Sequence, residues 1–369
     1  MGPVILFDKS AIQSLGRDAI REVSRYFYTV VPPVLLKETL ADLSLNPHDI
    51  HAARKKVGDI ADKVLPVHSK ANLPYHALCV HNLLGEHIPM NRVPVVGGAK
   101  TVTAKDGSKG MFIDVQPENE AVLRWQSGQF SEDDLKFAAQ WRAAATGADL
   151  EGTKQQLPEP LFKLKSLEEV NVFVNLMLTD PEFHEPILRW FLGLLRCDRQ
   201  TCNRVCFRWR LDILQSLHTF APYAVHCLRV HLLYYHGMMH SILSTRSSNI
   251  VDLEYLCYTP FASIFCSGDK LHQQLAPFIL HDDQSFVDRK EMQDGLKAMV
   301  AARKKVADCE PGEDSLIGRL WVKHRGKLPV RATQKSMTEE ESKRLMETIK
   351  PIIEVLREQK REQGPRFPV

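Results

Sequence analysis

The chain has 369 residues, 44% of them hydrophobic and 25% charged, and its 48 basic and 45 acidic residues leave a formal net charge of +3. That length can bury one large core or two ordinary ones, the composition excludes a disordered or fibrous molecule, and so balanced a charge gives no ground for inferring a nucleic-acid partner from net charge. The eight cysteines are scattered through apolar segments rather than set at the spacing of a secreted disulfide scaffold, so a reducing, cytoplasmic setting is expected.

From Met1 to Asp8 only Val4 to Phe7 are strongly apolar, too short a run for the core of a secretion signal. Later apolar stretches such as 225–235 are interrupted by His226, Arg229 and His231, so no membrane span and no membrane partner are expected. Val4 to Phe7 is a continuous apolar run ending in a charge, the pattern of a strand buried on both faces in a parallel sheet. A helix is expected from about Ser10 to Arg25. Tyr26 to Val31 is rich in aromatic and β-branched residues and reads as a second strand stopped by Pro32 and Pro33. Proline is tolerated in a first helical turn, which makes Val34 to Leu45 the next helix. Strand, helix, strand, helix, joined by right-handed crossovers, gives two parallel strands.

Beyond residue 45 the texture changes. Residues 93–115 suggest a β-hairpin, with Asp106-Gly107 supplying the turn. From Glu132 to Thr245 helical periodicity dominates, punctuated by Pro158, Pro181, Pro186 and Pro222. Alternating strand and helix then resume: a helix from Asn249 to about Tyr258, an apolar strand from Phe261 to Cys266, and a helix from Leu271 to Leu280. A basic connector, Lys323 to Lys335, leads to a charged helix opened by a capping box, Thr338 with Glu341 three residues on. The expected organisation is an α/β domain split between residues 1–45 and 240–300, a mainly helical insertion at 46–239, and a charged extension at 301–369.

Asp8 stands just past the carboxyl end of the first strand and Asp269 just past that of the last. In open parallel sheets those ends share one edge, where such folds place their ligands. Glu38 and Asp42 are four residues apart on the helix after the second strand, hence on one face. Asp252 lies in the first turn of the helix leading to the last strand, with Glu254 two residues on. Carboxylates brought together raise one another's pKa unless a cation is present. Hard oxygen donors of this kind suit Mg²⁺ or Mn²⁺, and such ions activate water for phosphodiester hydrolysis.

The ordered runs Phe7-Asp8-Lys9-Ser10-Ala11, Val30 to Glu38, Val251-Asp252-Leu253-Glu254-Tyr255 and Ile264 to Asp269 together resemble the four-acid pattern of PIN domains. The resemblance covers roughly the first 45 residues and the stretch 240–280, and it does not extend to the long middle segment. It implies a PIN-like parallel sheet and a metal-dependent nuclease acting on RNA, with Asp8, Glu38, Asp252 and Asp269 as catalytic and metal-holding acids and Ser10 and Ser267 as accessory residues. Asp42 and Glu254 are expected as further accessory acids. Single-stranded RNA is the expected substrate, and the insertion is where a protein partner or second copy is expected to dock.

Plainer readings stand beside these. Asp8 and Asp269 can simply terminate strands, Asp252 can serve as a helix N-terminal acid, and Cys197, Cys202 and Cys206 read as core cysteines because no paired Cys-x-x-Cys accompanies them. A haloacid-dehalogenase-like phosphatase also puts an aspartate after a first buried strand, although Ser10 stands where that family has a second acid. A PIN scaffold without activity, binding RNA or protein, is the third alternative. Lys9 and Lys270 adjoin site acids and are candidate phosphate contacts, as are Lys100, Lys105 and Lys109 in the hairpin and Lys323, Arg325 and Lys327 in the connector.

Overall fold

A computed structural model describes residues 2–325 apart from 46–48, 65–68, 98, 104–108, 114–116, 148, 157–162 and 212–215. The charged C-terminal helix with its Thr338 and Glu341 capping box therefore lies outside the described residues, as do the Asp106-Gly107 turn and most of the basic connector.

The first half-sheet forms as its apolar pattern dictates. Strand β1 (Val4–Phe7) is followed by α1 (Lys9–Ser14) and α2 (Arg17–Tyr26), then by β2 (Tyr28–Val31) and α3 (Pro33–Leu40). The expected single first helix is two, because Leu15 turns its backbone to an extended conformation and Gly16 caps α2 without a side chain. The second strand starts later than expected because Tyr26 completes α2. Pro33 opens α3 as anticipated, but the helix stops at Leu40 and tightens into a 3₁₀ turn, Ala41–Ser44.

The middle of the chain supplies α4 (Ile50–Val64), β3 (Ser69–Ala71), α5 (Tyr75–Leu83), the antiparallel hairpin β4 (Ala99–Thr103) and β5 (Lys109–Ile113), then α6 (Pro117–Gln126), α7 (Glu132–Thr146) and α8 (Leu150–Gln156). Five helices follow: α9 (Leu167–Thr179), α10 (Pro181–Leu194), α11 (Arg199–Leu211), α12 (Leu217–Phe220) and α13 (Pro222–Met239). After them come α14 (Asn249–Cys257), β6 (Ile264–Ser267), α15 (Lys270–Ile279), β7 (Ser285–Asp288), α16 (Arg289–Lys305) and α17 (Leu316–Arg325).

Five strands make one parallel sheet in the order β3-β2-β1-β6-β7. Strand β3 comes from residues that the sequence pattern placed in the insertion, and β7 was not anticipated; β3 has three residues, two of them polar, and β7, though as long as β1, is polar at both ends, so neither shows the apolar run that revealed β1. At the centre Leu6 faces Val30 on one side and Phe265 on the other, and all four β1 residues are buried. Strand order runs outward from β1 in one direction and restarts with β6 in the other. A sheet that reverses this way opens a crevice at the carboxyl ends of the two strands flanking the reversal. Those ends are Phe7 and Ser267.

Helix α13 is buried along almost its whole length and packs against α5, α9, α14 and α15, which joins the middle helices to the sheet-bearing half in one continuous apolar core. Among the described residues no helix is long and apolar enough to cross a membrane.

Candidate active site

Every strand that ends near the crevice on the β6 side, and β1 itself, hands over to a helix through an aspartate. Asp8 accepts from the Ala11 N–H, Asp269 from the Leu271 N–H and Asp288 from the Lys290 N–H, capping α1, α15 and α16. Beyond ending their strands, Asp8 and Asp269 thus cap the helices that follow, a role not expected of them from the sequence. What distinguishes Asp8 is its second set of partners.

Asp8 is only 4% exposed. Its Oδ2 lies 2.6 Å from the Ser267 hydroxyl, and Ser10 Oγ stands 3.0 Å from both carboxylate oxygens. Ser267 Oγ is also 2.7 Å from His272 Nδ1, whose other ring nitrogen, Nε2, is 2.7 Å from the Asp252 carbonyl oxygen. A carbonyl only accepts, so Nε2 carries a hydrogen. Ser267 has a single hydroxyl proton, which goes to the ionised Asp8, and its oxygen already accepts the Asp269 N–H at 3.0 Å. Nδ1 must then donate as well, and this assignment from the network makes His272 an imidazolium. The charges agree. Burial disfavours ionisation of both groups, yet contact with the other raises the His272 pKa and holds Asp8 below the usual carboxylate value. Nδ1 stands 3.7 Å from Asp8 Oδ2 and the ring is fully buried.

Glu38, reached from β2 through α3, accepts a 2.7 Å hydrogen bond from the hydroxyl of Tyr255, which is buried on α14. Burial pushes the Glu38 carboxyl up, against the pull of Lys9 and Tyr255 and with the push of Asp8 and Asp42. Asp252 completes the group. Its carboxyl is pushed up to about 7, first by burial and then, against the pull of His272, by the charges of Asp269, Glu38 and Asp8. Asp252 thus feels the charges of the other three sequence-selected acids, and Glu38 that of Asp8. Glu254 feels burial, Lys37 and Glu38, and its carboxyl is also raised.

Two expectations change for Asp42 and Lys9. Asp42 sits in the 3₁₀ turn, 1% exposed, with Lys9 Nζ at 2.7 Å, Lys56 Nζ at 2.9 Å and Arg142 at 3.5 Å. Its charge is matched by these cations, so it serves the fold rather than the acid group. Lys9 is 9% exposed, and its ammonium donates to Asp42 and to the Glu38 carbonyl oxygen. It is an internal cation beside Glu38, out of reach of an incoming phosphate. Lys270 is exposed, as a phosphate contact must be.

The connector residues are displaced more completely. Lys323 donates to the Gln284 carbonyl oxygen and Arg325 to that of Gly2. Gln284 precedes β7 and Gly2 precedes β1, so both cations lie at the amino edge of the sheet, opposite the acids. Lys105 and Lys327 lie outside the described residues, as do the side chains of Lys100 and Lys109.

Tyr255 and His272 were missed by inspection of the sequence. Each stands three residues after a site acid on the same or the next helical turn, Asp252 and Asp269 respectively, and that spacing is the signal that finds them. Among the described residues no three His, Cys, Asp or Glu side chains stand close enough, as they are, to share one ion. Ionised carboxylates without a cation between them repel, and here Asp8 turns to Ser267 and Glu38 to Tyr255. The donor set nevertheless fits a hard divalent ion, because it offers oxygen only, from four separate elements, and includes a carboxyl whose ionisation its neighbours oppose. Comparison of the chain with protein-family models, with curated proteins and with solved structures found no match.

Proposed function

We propose that this protein is a PIN-like, metal-dependent nuclease that hydrolyses phosphodiester bonds of single-stranded RNA, its α/β domain divided by the helical middle segment. The observation that carries the reading is that Asp8 and Asp269, 261 residues apart in sequence, stand just past the carboxyl ends of the neighbouring strands β1 and β6 at the switch point of one parallel sheet, with Ser267 of β6 hydrogen-bonded to Asp8 and with the Asp252 carboxyl raised by burial and by the charges of Asp269, Glu38 and Asp8. Structural ion-pair networks gather opposite charges, as Asp42 does. Here the acids outnumber the buried cations beside them, His272 and Lys9, and burial with the charges of neighbouring acids raises Asp252, an imbalance that costs stability and is characteristic of a site that works on a cation or a proton.

In this reading Asp8, Glu38, Asp252 and Asp269 hold Mg²⁺ or Mn²⁺. The bound ion supplies an activated water and neutralises charge developing on the phosphate. The chain's own residues do the positioning. Ser267 and His272 fix one oxygen of Asp8, the Ala11 N–H fixes the other, and Tyr255 orients Glu38. Lys270, exposed beside Asp269, is a contact for the RNA backbone. The phosphatase alternative is disfavoured because Ser10 donates its hydroxyl to Asp8 where that chemistry requires an acid.

Incubation of the purified protein with single-stranded RNA and single-stranded DNA, each with Mn²⁺, Mg²⁺ or EDTA, tests the proposal. RNA cleavage with either metal and none in EDTA is the expected result. Intact RNA under all three conditions would overturn it.

A further inference from the structure

Four carboxylates at one crevice repel the polyanion that a nuclease must admit, so the rim needs a cation that does not neutralise the acids themselves. Lys9 is the nearest candidate by sequence, but it is consumed inside the fold. The structure offers another. Arg289, the first residue of α16, follows directly on β7, and the register Ser267↔Asp288 sets the end of β7 beside the end of β6. Its side chain lies across Gly268, the residue between Ser267 and Asp269. A Cβ at Gly268 would stand 2.8 Å from Arg289 Nε and 3.1 Å from its Cβ and Cδ. Only the absence of a side chain at 268 lets the guanidinium rest there.

The guanidinium is also unspent. Arg289 is exposed, and among the described residues it has no hydrogen-bond or ion-pair partner. The adjacent acid does not compete for it, because Asp288 accepts from the Lys290 N–H and from Gln273 Nε2. Arg92, Arg142, Arg229 and Arg303 are by contrast engaged, with Asp283, with Asp42, with Asn171 and Asn175, and with Glu22 respectively. An arginine seated on a glycine at the crevice, and left without a carboxylate, is placed for a ligand with paired anionic oxygens, which a phosphodiester presents in its two non-bridging oxygens.

We propose that Arg289, seated over Gly268, contacts a backbone phosphate of single-stranded nucleic acid adjacent to the four-acid group. The inference rests on the nuclease reading for its ligand, but it concerns binding and is measured without cleavage. A fluorescently labelled single-stranded RNA is titrated with full-length protein in EDTA over a series of salt concentrations, for the wild type and for Arg289→Gln, Arg289→Lys and Gly268→Ala. One lost phosphate contact on a single strand should flatten the dependence of log affinity on log salt by about 0.7. Arg289→Gln is expected to show that loss, with weaker binding irrespective of base sequence, and Arg289→Lys to retain most of the slope. Gly268→Ala keeps every charge but puts a methyl where the guanidinium lies, so it is expected to lose the contact too; if it does not fold, Arg289→Gln decides alone.

An unchanged slope in Arg289→Gln overturns the inference, as does a wild type that does not bind RNA. Mn²⁺-dependent cleavage by the wild type, assayed in parallel, separates the two failures. Cleavage with an unchanged Arg289→Gln slope sinks only the role of Arg289. Binding without cleavage, with the slope reduced in Arg289→Gln, supports the contact and sinks the nuclease.

Discussion

Asp8 and Asp269 were legible as single residues because each follows a buried apolar strand, and an acid at that point is visible without any structure. Asp8→Asn and Asp269→Asn each remove a charge with little change in volume, and each is expected to lower Mn²⁺-dependent RNA cleavage at least about 100-fold. Asp269→Asn should leave the thermal midpoint near wild type, whereas Asp8→Asn should keep the circular dichroism spectrum but lower the midpoint, because the buried His272 imidazolium loses its counter-charge. Full activity in both would remove them from the site. Asp252 makes a separate prediction about pH. Its ordinary pKa of 3.8 is pushed up to about 7 in the fold, so between those values the folded state holds more protons than the unfolded one. Stability is then highest below about pH 4 for this group and is lost as pH rises towards 7. His272, also raised, has the same sign: the stability from its protonated form disappears as pH climbs through its folded value. Metal-free protein is expected to melt at progressively lower temperature from pH 5 to pH 8, the Asp252 share over that window amounting to at most about 3 kcal/mol. Asp252→Asn should flatten that decline. Mn²⁺ at pH 8 should raise the wild-type midpoint and leave that of Asp252→Asn little changed. Spacing flags His272 one helical turn after Asp269, but a lone histidine on a helix says nothing of the serine and carboxylate it meets.

Among the elements, sequence pattern found those that announce themselves with a continuous apolar run or a proline and missed those whose burial is conferred by neighbours. Val4–Phe7 was readable, and so was the last apolar strand, although β6 starts at Ile264 rather than Phe261, because Thr259–Phe261 forms a 3₁₀ turn, and runs on to Ser267. Ser69–Ala71 has one apolar residue and pairs only because β2 offers it an edge. The hairpin was expected from Asp106-Gly107, and its strands pair antiparallel with Thr101 opposite Met111. Helix α13 shows a further limit of local reading. Its N-cap, Ala221, has no side chain able to accept the first N–H groups. Asn82, at the far end of α5, does so instead: its Oδ1 accepts the N–H of Tyr223 at 2.9 Å and of Ala224 at 3.1 Å, and its Nδ2 donates to the Glu86 carbonyl oxygen. Nothing in the sequence around 222 betrays a cap delivered from 140 residues away. Asn82→Ala strands two buried donors and is expected to cost about 2–3 kcal/mol in urea unfolding. A loss below about 0.5 kcal/mol would mean that water replaces the amide.

At the scale of the whole molecule, Asp42 ties α1, α4 and α7 to the 3₁₀ turn through Lys9, Lys56 and Arg142. Removing one member of a buried ionic cluster leaves the others uncompensated, so Asp42→Ala is expected to destabilise by about 3–5 kcal/mol, whereas Lys56→Ala, at a half-exposed side chain, should cost far less. Equal effects would show that the cluster is not buried in solution. The pairing of β1 with β6 has a bearing on synthesis. Ser267 and Asp8, hydrogen-bonded in the fold, are separated by 259 residues, and closing such a span costs about 2 kcal/mol more chain entropy than a crossover of roughly 20 residues. As the chain leaves the ribosome, β1 and β2 can pair early, but one side of β1 stays open until β6 emerges. The acids cannot meet before then. A truncated product ending ahead of residue 249 carries Asp8 and Glu38 without Asp252 or Asp269, so incomplete translation leaves the four-acid group unassembled, and the proposed nuclease would stay silent until residue 269 has been made.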